Sequence, residues 1–410
     1  MIGILMHQAL HTLLSWRRLP WRRARGMGLS LSTLLVLGAA SAAEPVLIGL
    51  DEAYSISTNT SPKAIERGIR AAIAEINAKG GVLGGRPLEL VTTDNQGVSA
   101  RGRDNFVELA ARPGLAAVFA GKYSPVTVES VPEANRLQVP IVSVWGSADP
   151  ITDGDPVQPY AVRLSLKDSW GVVALLQRAR SAYKASRLCA LLPNTAWGRS
   201  ADKVLNTRAQ AAGATLASVR WYNWGDSNFA EHVEACRVAK GQALVMVANE
   251  REGAMVISEI AKLPAGQRLP VVAHWGITGG ALHTLVGDAL GKVDMQVIQT
   301  FTFVGNRRPA AQRLAATLMK HTGVSAVQSI PSPVGSAHAY DMTHLLALAI
   351  DKAGTTRGES LRRALESLPP FEGAVRRYEA AFTASRHDAL TAREVLFVRM
   401  ESGGELVPVK

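Results

Sequence analysis

The chain alternates short, wholly apolar runs with longer stretches whose apolar positions recur every three or four residues. The run VLIGL over 46–50 carries no polar side chain, as expected of a strand buried on both faces. Ser61-Pro62 follows, an N-cap with proline at the first helical position. Ile65, Ile69, Ala72, Ile73 and Ile76 then fall on one face of a helix, which Gly80-Gly81 stops.

The same alternation predicts strands over 88–92, 115–120, 140–144, 188–192, 215–221, 243–248, 271–274 and 297–303. Helices are predicted over 100–111, 126–137, 168–183, 198–211, 229–239, 252–262 and 280–289, then over 309–321, 338–353 and 358–367. The tail, 371–410, reads as short strands and loops. Strands alternating with helices make an α/β fold with parallel sheets. The strands are too many for one ordinary sheet, and 148–162 is rich in Pro, Gly and Asp, so two lobes are expected. In open parallel sheets ligands bind outside the carboxyl ends of the strands, which directs attention to the loops there.

Composition adds little to this picture except at the N-terminus. Of 410 residues 47% are hydrophobic and 19% charged, enough for a large core. The net charge of +11 is unevenly held: Arg17, Arg18, Arg22, Arg23 and Arg25 sit in a leading segment that has no acid. The other charges are scattered and form no basic stripe, so nucleic acid is not an expected partner. The basic stretch, an apolar run over 27–40 and the small residues at 41–43 follow the order of a secretory signal. Residues 1–43 are therefore expected to be a signal peptide, through either the general or the twin-arginine route. Cys189 lies in a strand pattern and Cys236 in a helical one. Export permits a disulfide, but two buried free thiols are the expectation here.

Local catalytic motifs are missing. There is no G-x-S-x-G, no H-E-x-x-H and no phosphate loop: the glycines at 80–85 follow a helix and lack Lys-Ser/Thr. No metal site, no cofactor and no enzymatic activity are expected. His338 and His344 are expected in core or capping roles. The strand-to-helix junctions are polar and aromatic instead: Lys122-Tyr123-Ser124, Trp145-Gly146-Ser147, Asn194 to Trp197, Asn249-Glu250 and His274-Trp275. Helix N-termini present unpaired N–H groups that hold carboxylates, and a serine hydroxyl adds a donor. N-capping alone accounts for such serines in many proteins; their joint placement points to a binding site.

These phrases resemble the periplasmic binding proteins of branched-chain amino-acid ABC transporters. The resemblance is carried by Ala71 to Leu90 with Asp94, and by Val118–Ser124, Pro140–Ser147, Asn194–Gly198 and Ala339–Ala349. It implies two Rossmann-like lobes with parallel-sheet cores joined by a three-crossing hinge, the type I periplasmic binding fold. Lobe one would be 44–163 with 296–371, and lobe two 164–295 with 372–410. It implies a monomer in the periplasm that closes on a small carboxylate-bearing solute, amino acid-like or an aromatic acid, and delivers it to an inner-membrane permease. A ligand-sensing protein feeding a receptor or regulator rather than a permease is the alternative.

By the same resemblance, Ser124 holds the ligand carboxylate with Gly146 and Ser147, Trp197 is the wall of lobe two, and Asn249 with Glu250 follow the next strand. Tyr123, Trp145, Trp197 and Trp275 would favour a flat ligand, with core packing the simpler account of Trp145. Where amino-acid binders place an acid for the ammonium, this chain has Trp275. Asp51, Glu250 or Glu252 would then have to supply the charge, or the ligand has no ammonium.

Overall fold

The computed structural model describes residues 43–154 and 156–409. The expected signal peptide, 1–43, lies outside these but for its last residue.

The first lobe is built from β1 (Val46–Glu52), α1 (Ser61–Asn77), β2 (Leu88–Asp94), α2 (Ser99–Ala110), β3 (Leu115–Ala120), α3 (Ser124–Leu137), β4 (Ile141–Ser143) and β5 (Ala161–Arg163). The strands form one parallel sheet in the order β2-β1-β3-β4-β5. Every residue of β3 is buried, as its unbroken apolar run requires when helices cover both faces.

The second lobe holds α4 (Asp168–Tyr183), β6 (Arg187–Pro193), α5 (Ala196–Arg208), β7 (Thr215–Tyr222), α6 (Ala230–Val238), β8 (Ala243–Met246), α7 (Glu250–Lys262), β9 (Val271–Ala273), α8 (Leu282–Val286) and β10 (Met295–Gln299). The chain then returns to the first lobe as α9 (Pro309–Thr322), α10 (Pro333–Ala353) and α11 (Gly358–Leu365). A small hairpin, β11 (Phe371–Glu372) with β12 (Arg377–Tyr378), leads to β13 (Leu396–Met400) and β14 (Leu406–Val409). The second sheet runs β14-β13-β10-β9-β8-β6-β7, parallel from β10 to β7 with β13 and β14 antiparallel. The helix expected over 280–289 is only one turn, because Gly287 takes a positive φ and the chain tightens to a 3-10 turn.

Helix α10 belongs to the first lobe because α1 gives it room. A Cβ on Gly68 would stand 2.2 Å from the Ser336 carbonyl oxygen, so only glycine lets the two helices approach this closely. His338 on α10 is fully buried: its Nδ1 donates to the Val144 carbonyl, and its Nε2 pairs with Thr300 at 2.9 Å. Burial drives its pKa down to about 4. The core role expected for His338 thus fixes α10 to the end of β4.

Residues 371–389 stay with the first sheet. Asp341 on α10 accepts hydrogen bonds from the N–H groups of Ala374 and Val375 and from the Tyr378 hydroxyl. On the far edge, β5 meets the same segment, with Arg163 N–H donating to His387 and Ala389 N–H donating to Arg163.

The two cysteines are not free thiols: Cys189 and Cys236 form a disulfide. The pairing has a topological cause. Strands β6 and β8 are neighbours, so α6, which leads into β8, is laid over β6 and brings the two Cα atoms to 5.7 Å. Spacing along the sequence carries none of that. The bond closes a 47-residue separation, which stabilises by roughly 2–4 kcal/mol. The double variant Cys189→Ala/Cys236→Ala is expected to lower the urea midpoint by a corresponding amount; an unchanged midpoint would show that the bond is redundant.

Candidate crevice site

The carboxyl ends of both sheets face one crevice. From the first lobe come the loops after β1, β3 and β4; from the second, those after β6, β7, β8 and β9. At the end of β4 the chain turns through Trp145-Gly146-Ser147. Ser124, the first residue of α3, accepts the N–H groups of Ser147 and Ala148 on its Oγ, at 3.1 and 3.3 Å. Gly146 N–H is spent on the Gly121 carbonyl. The amides expected to cradle a carboxylate are therefore turned inward, leaving the Ser124 hydroxyl hydrogen to donate.

Across the crevice, Trp275 sends its Nε1–H to the Trp145 carbonyl at 3.2 Å. Asp149 N–H donates to Ser200 on α5 at 2.9 Å, one turn beyond Trp197. Trp197 packs edge-on to His274, 4.9 Å between centroids, and His274 lies 3.9 Å from Trp275. The chain behind them passes close by: a Cβ on Gly276 would meet both Trp197 and the Asn249 amide. Ser124, Gly146, Ser147, Trp197, Asn249 and Trp275 are thus all buried where the loops of the two lobes pack together, and of them Asn249 also borders the cavity described next. Trp145 is buried between Gly335 of α10 and Gly279 of the second lobe.

Tyr123 and Glu250 line a second part of the same crevice. Tyr123 stands edge-on to Trp224, 5.1 Å between centroids. Beside them lies a cavity of about 280 Å³, bordered also by Gln96, Asn249 and Glu252. This is close to the lower end for small-molecule sites and suits a solute of amino-acid size. Two larger grooves flank the half-exposed Trp170 on α4, but neither lies at the carboxyl ends of the parallel strands.

Asp51 is not part of the crevice group. Its carboxylate accepts from Thr93, Asn95 and Asn105 inside the first lobe, and burial raises its pKa to about 6. Its neighbour Glu52 is fully buried and accepts the N–H groups of Ala53 and Lys122. Glu252 is also buried, and its Oε1 accepts Gly225 N–H. Burial pushes the carboxyls of Glu52 and Glu252 upward.

Three further side chains, none expected to touch a ligand, are buried or half-buried where the two lobes meet. Lys122 Nζ meets Glu250 at 2.8 Å, with both side chains almost wholly buried. Thr58 donates to the other oxygen of Glu250 at 3.1 Å. Burial opposes the Lys122 ammonium, but the Glu250 carboxylate, with Tyr123 and Glu52 behind it, holds its pKa above the ordinary value. Asp168 opens α4 with neither carboxylate oxygen accepting a hydrogen bond among the described residues, although it is fully buried. His274 Nε2 lies 3.4 Å from its Oδ1. Burial, with Asp168 next in effect, raises the pKa of Asp149 to about 6.

Residues 45–405 match the family described as periplasmic binding protein. The chain belongs to that family. Solved structures of the same fold include a periplasmic binding protein type 1 from Bordetella pertussis Tohama I, 18% identical, with a TM-score of 0.78 over 89% of this chain and 100% of that one. The branched-chain amino acid transporter substrate binding protein LivJ from Streptococcus pneumoniae, in complex with isoleucine, is 20% identical, with a TM-score of 0.74 over 89% and 100%. A Rhodopseudomonas palustris ABC transporter solute-binding protein in complex with 4-hydroxybenzoate is 15% identical, with a TM-score of 0.75 over 90% and 96%. No curated protein matches the chain. Among the described residues, no helix is long and apolar enough to cross a membrane, and no group of side chains could hold a metal ion.

Proposed function

We propose that this periplasmic binding protein is the substrate-binding component of an ABC importer and captures a small amino acid-like carboxylate by lobe closure. The observation that carries the reading is the convergence of strand ends from two sheets on one crevice. There the loop that Ser124 holds in place meets the second lobe, through Asp149 on Ser200 and through Trp275 on Trp145. Serine and lysine donors on the first lobe suit a carboxylate. Asp168, buried with no hydrogen bond to either oxygen among the described residues, supplies the acid that Trp275 does not, and suits an ammonium. The disulfide fits a periplasmic location.

The lobes rotate about three crossings, near 164–167, 300–308 and 390–395. The permease reads closure because the docking surfaces of the two lobes move relative to one another. A solute that binds only the folded chain raises its melting temperature, so a thermal-shift screen of amino acids, aromatic acids, amides and short dicarboxylates identifies the class. With the hit in hand, Ser124→Ala plus Ser147→Ala is expected to weaken binding by about 1–3 kcal/mol per lost buried hydrogen bond. Calorimetry showing unchanged affinity would reject the site. A hit among aromatic acids with none among amino acids would transfer the assignment to solutes lacking an ammonium.

A further inference from the structure

Glu250 does to Lys122 what a solute carboxylate would do. It comes from the opposite lobe, at the head of α7, and its two oxygens take the Lys122 ammonium at 2.8 Å and the Thr58 hydroxyl at 3.1 Å. Lys122 and Thr58 both belong to the first lobe, and Lys122 is two residues from Ser124. Glycine makes the approach possible: a Cβ on Gly280 would collide with the Glu250 side chain and with the Thr58 carbonyl. The main chains are tied at the same place, with Thr60 N–H donating to Gly279 and Ala281 N–H donating to Thr58.

We propose that Lys122 is the carboxylate-binding cation of the crevice, and that Glu250 is its resident stand-in, holding the lobes together until a solute carboxylate takes its place. This rests on the reading of the chain as a carboxylate-binding protein and adds the residue that holds the charge. Glu52 does not fill the role, because its oxygens are taken by backbone N–H groups and the Ser61 hydroxyl. An ion pair buried this deeply contributes little net stability, because desolvation offsets the attraction, but losing one partner strands the other. The pair therefore makes contact between the lobes conditional on a carboxylate at Lys122, whether from Glu250 or from the solute. It also explains selection for carboxylates, since a neutral solute cannot displace Glu250 without stranding Lys122.

The test uses the mature chain, small-angle X-ray scattering without solute, and calorimetry with isoleucine and with benzoate. Glu250→Gln is expected to enlarge the radius of gyration and to tighten whichever carboxylate binds the unaltered chain by about tenfold, since the competing contact no longer depletes the binding-competent state. Lys122→Met is expected to enlarge the chain and to abolish that binding. The double variant Lys122→Met/Glu250→Leu, with an apolar pair in place of the charges, is expected to keep the compact radius and to bind neither carboxylate. It also serves as the folding control, judged by circular dichroism. An unchanged radius in Glu250→Gln, or weaker carboxylate binding by it, overturns the proposal. If neither carboxylate binds any form, the carboxylate-solute reading fails, while the scattering result still decides whether the ion pair holds the lobes.

Discussion

Arg163→Ala is expected to destabilise the chain by about 3–5 kcal/mol, the range for removing one partner of a buried ion pair. Arg163 ends β5, where the chain first leaves the first lobe, and its side chain is fully buried. Its Nε meets Asp388 at 2.6 Å, its Nη1 donates to the Ala148 carbonyl at 2.8 Å, and its Nη2 donates to Thr152 at 2.6 Å. Asp388 lies just before the third crossing, so one guanidinium ties two of the three hinge strands together and braces the loop that carries Ser147. Alanine leaves the buried Asp388 carboxylate its Thr152 hydroxyl and a distant Lys167, 3.9 Å away. Urea unfolding followed by both tryptophan fluorescence and circular dichroism reads the loss. Adding Asp388→Ala to Arg163→Ala is expected to cost less than the two single changes together, because neither charge is then stranded. A loss below about 1 kcal/mol would mean that water replaces the arginine and that the hinge does not depend on it.

The α/β architecture was legible because parallel strands buried on both faces leave continuous apolar runs, and β3 and α4 fall at the residues that periodicity assigns. Strand β5 was not found: three residues inside a Pro- and Gly-rich stretch carry no period. The tail is short strands and loops, as its pattern predicts, but the lobe it joins is not readable there: Asp341 and Arg163 tie residues 371–389 to the first lobe, with Ala374, Tyr378, Ala381 and Phe382 buried in the core.

In the site, the junction rule led to Ser124, Ser147, Trp197, Asn249 and Trp275, because strand ends announce themselves by a change from apolar to polar. Asp51 obeys the same rule, yet its side chain turns to Asn95 and Asn105. A strand-end acid can point to either side of its sheet, and the sequence does not fix which. Lys122 sits beside Tyr123 at the end of β3, but nothing along the chain pairs it with Glu250, which the fold brings opposite it. Asp168 looked like an ordinary acid in the first turn of a helix, where the dipole favours a negative charge. What marks it out is complete burial with no hydrogen bond to its carboxylate among the described residues.

Asp168→Asn is the variant expected to separate the two classes of solute. A buried carboxylate facing an ammonium is worth about 2–5 kcal/mol to a ligand when the charge is removed from one side, which is roughly 30- to 5,000-fold in affinity. The carboxamide keeps the size of the side chain and the position of the N–H that donates to Ser147, so the crevice wall stays in place. If the solute is an amino acid, Asp168→Asn loses affinity on that scale for the amino acid and gains or holds affinity for the matching acid without an amino group. The physical reason is asymmetric: an acid without an ammonium leaves the Asp168 carboxylate buried with no hydrogen bond to it among the described residues, a cost that asparagine reduces. Calorimetry with isoleucine and its deaminated analogue reads both arms. Equal affinities of the unaltered chain and Asp168→Asn for isoleucine would place the ammonium elsewhere, with Glu252 at the cavity wall the next acid to change.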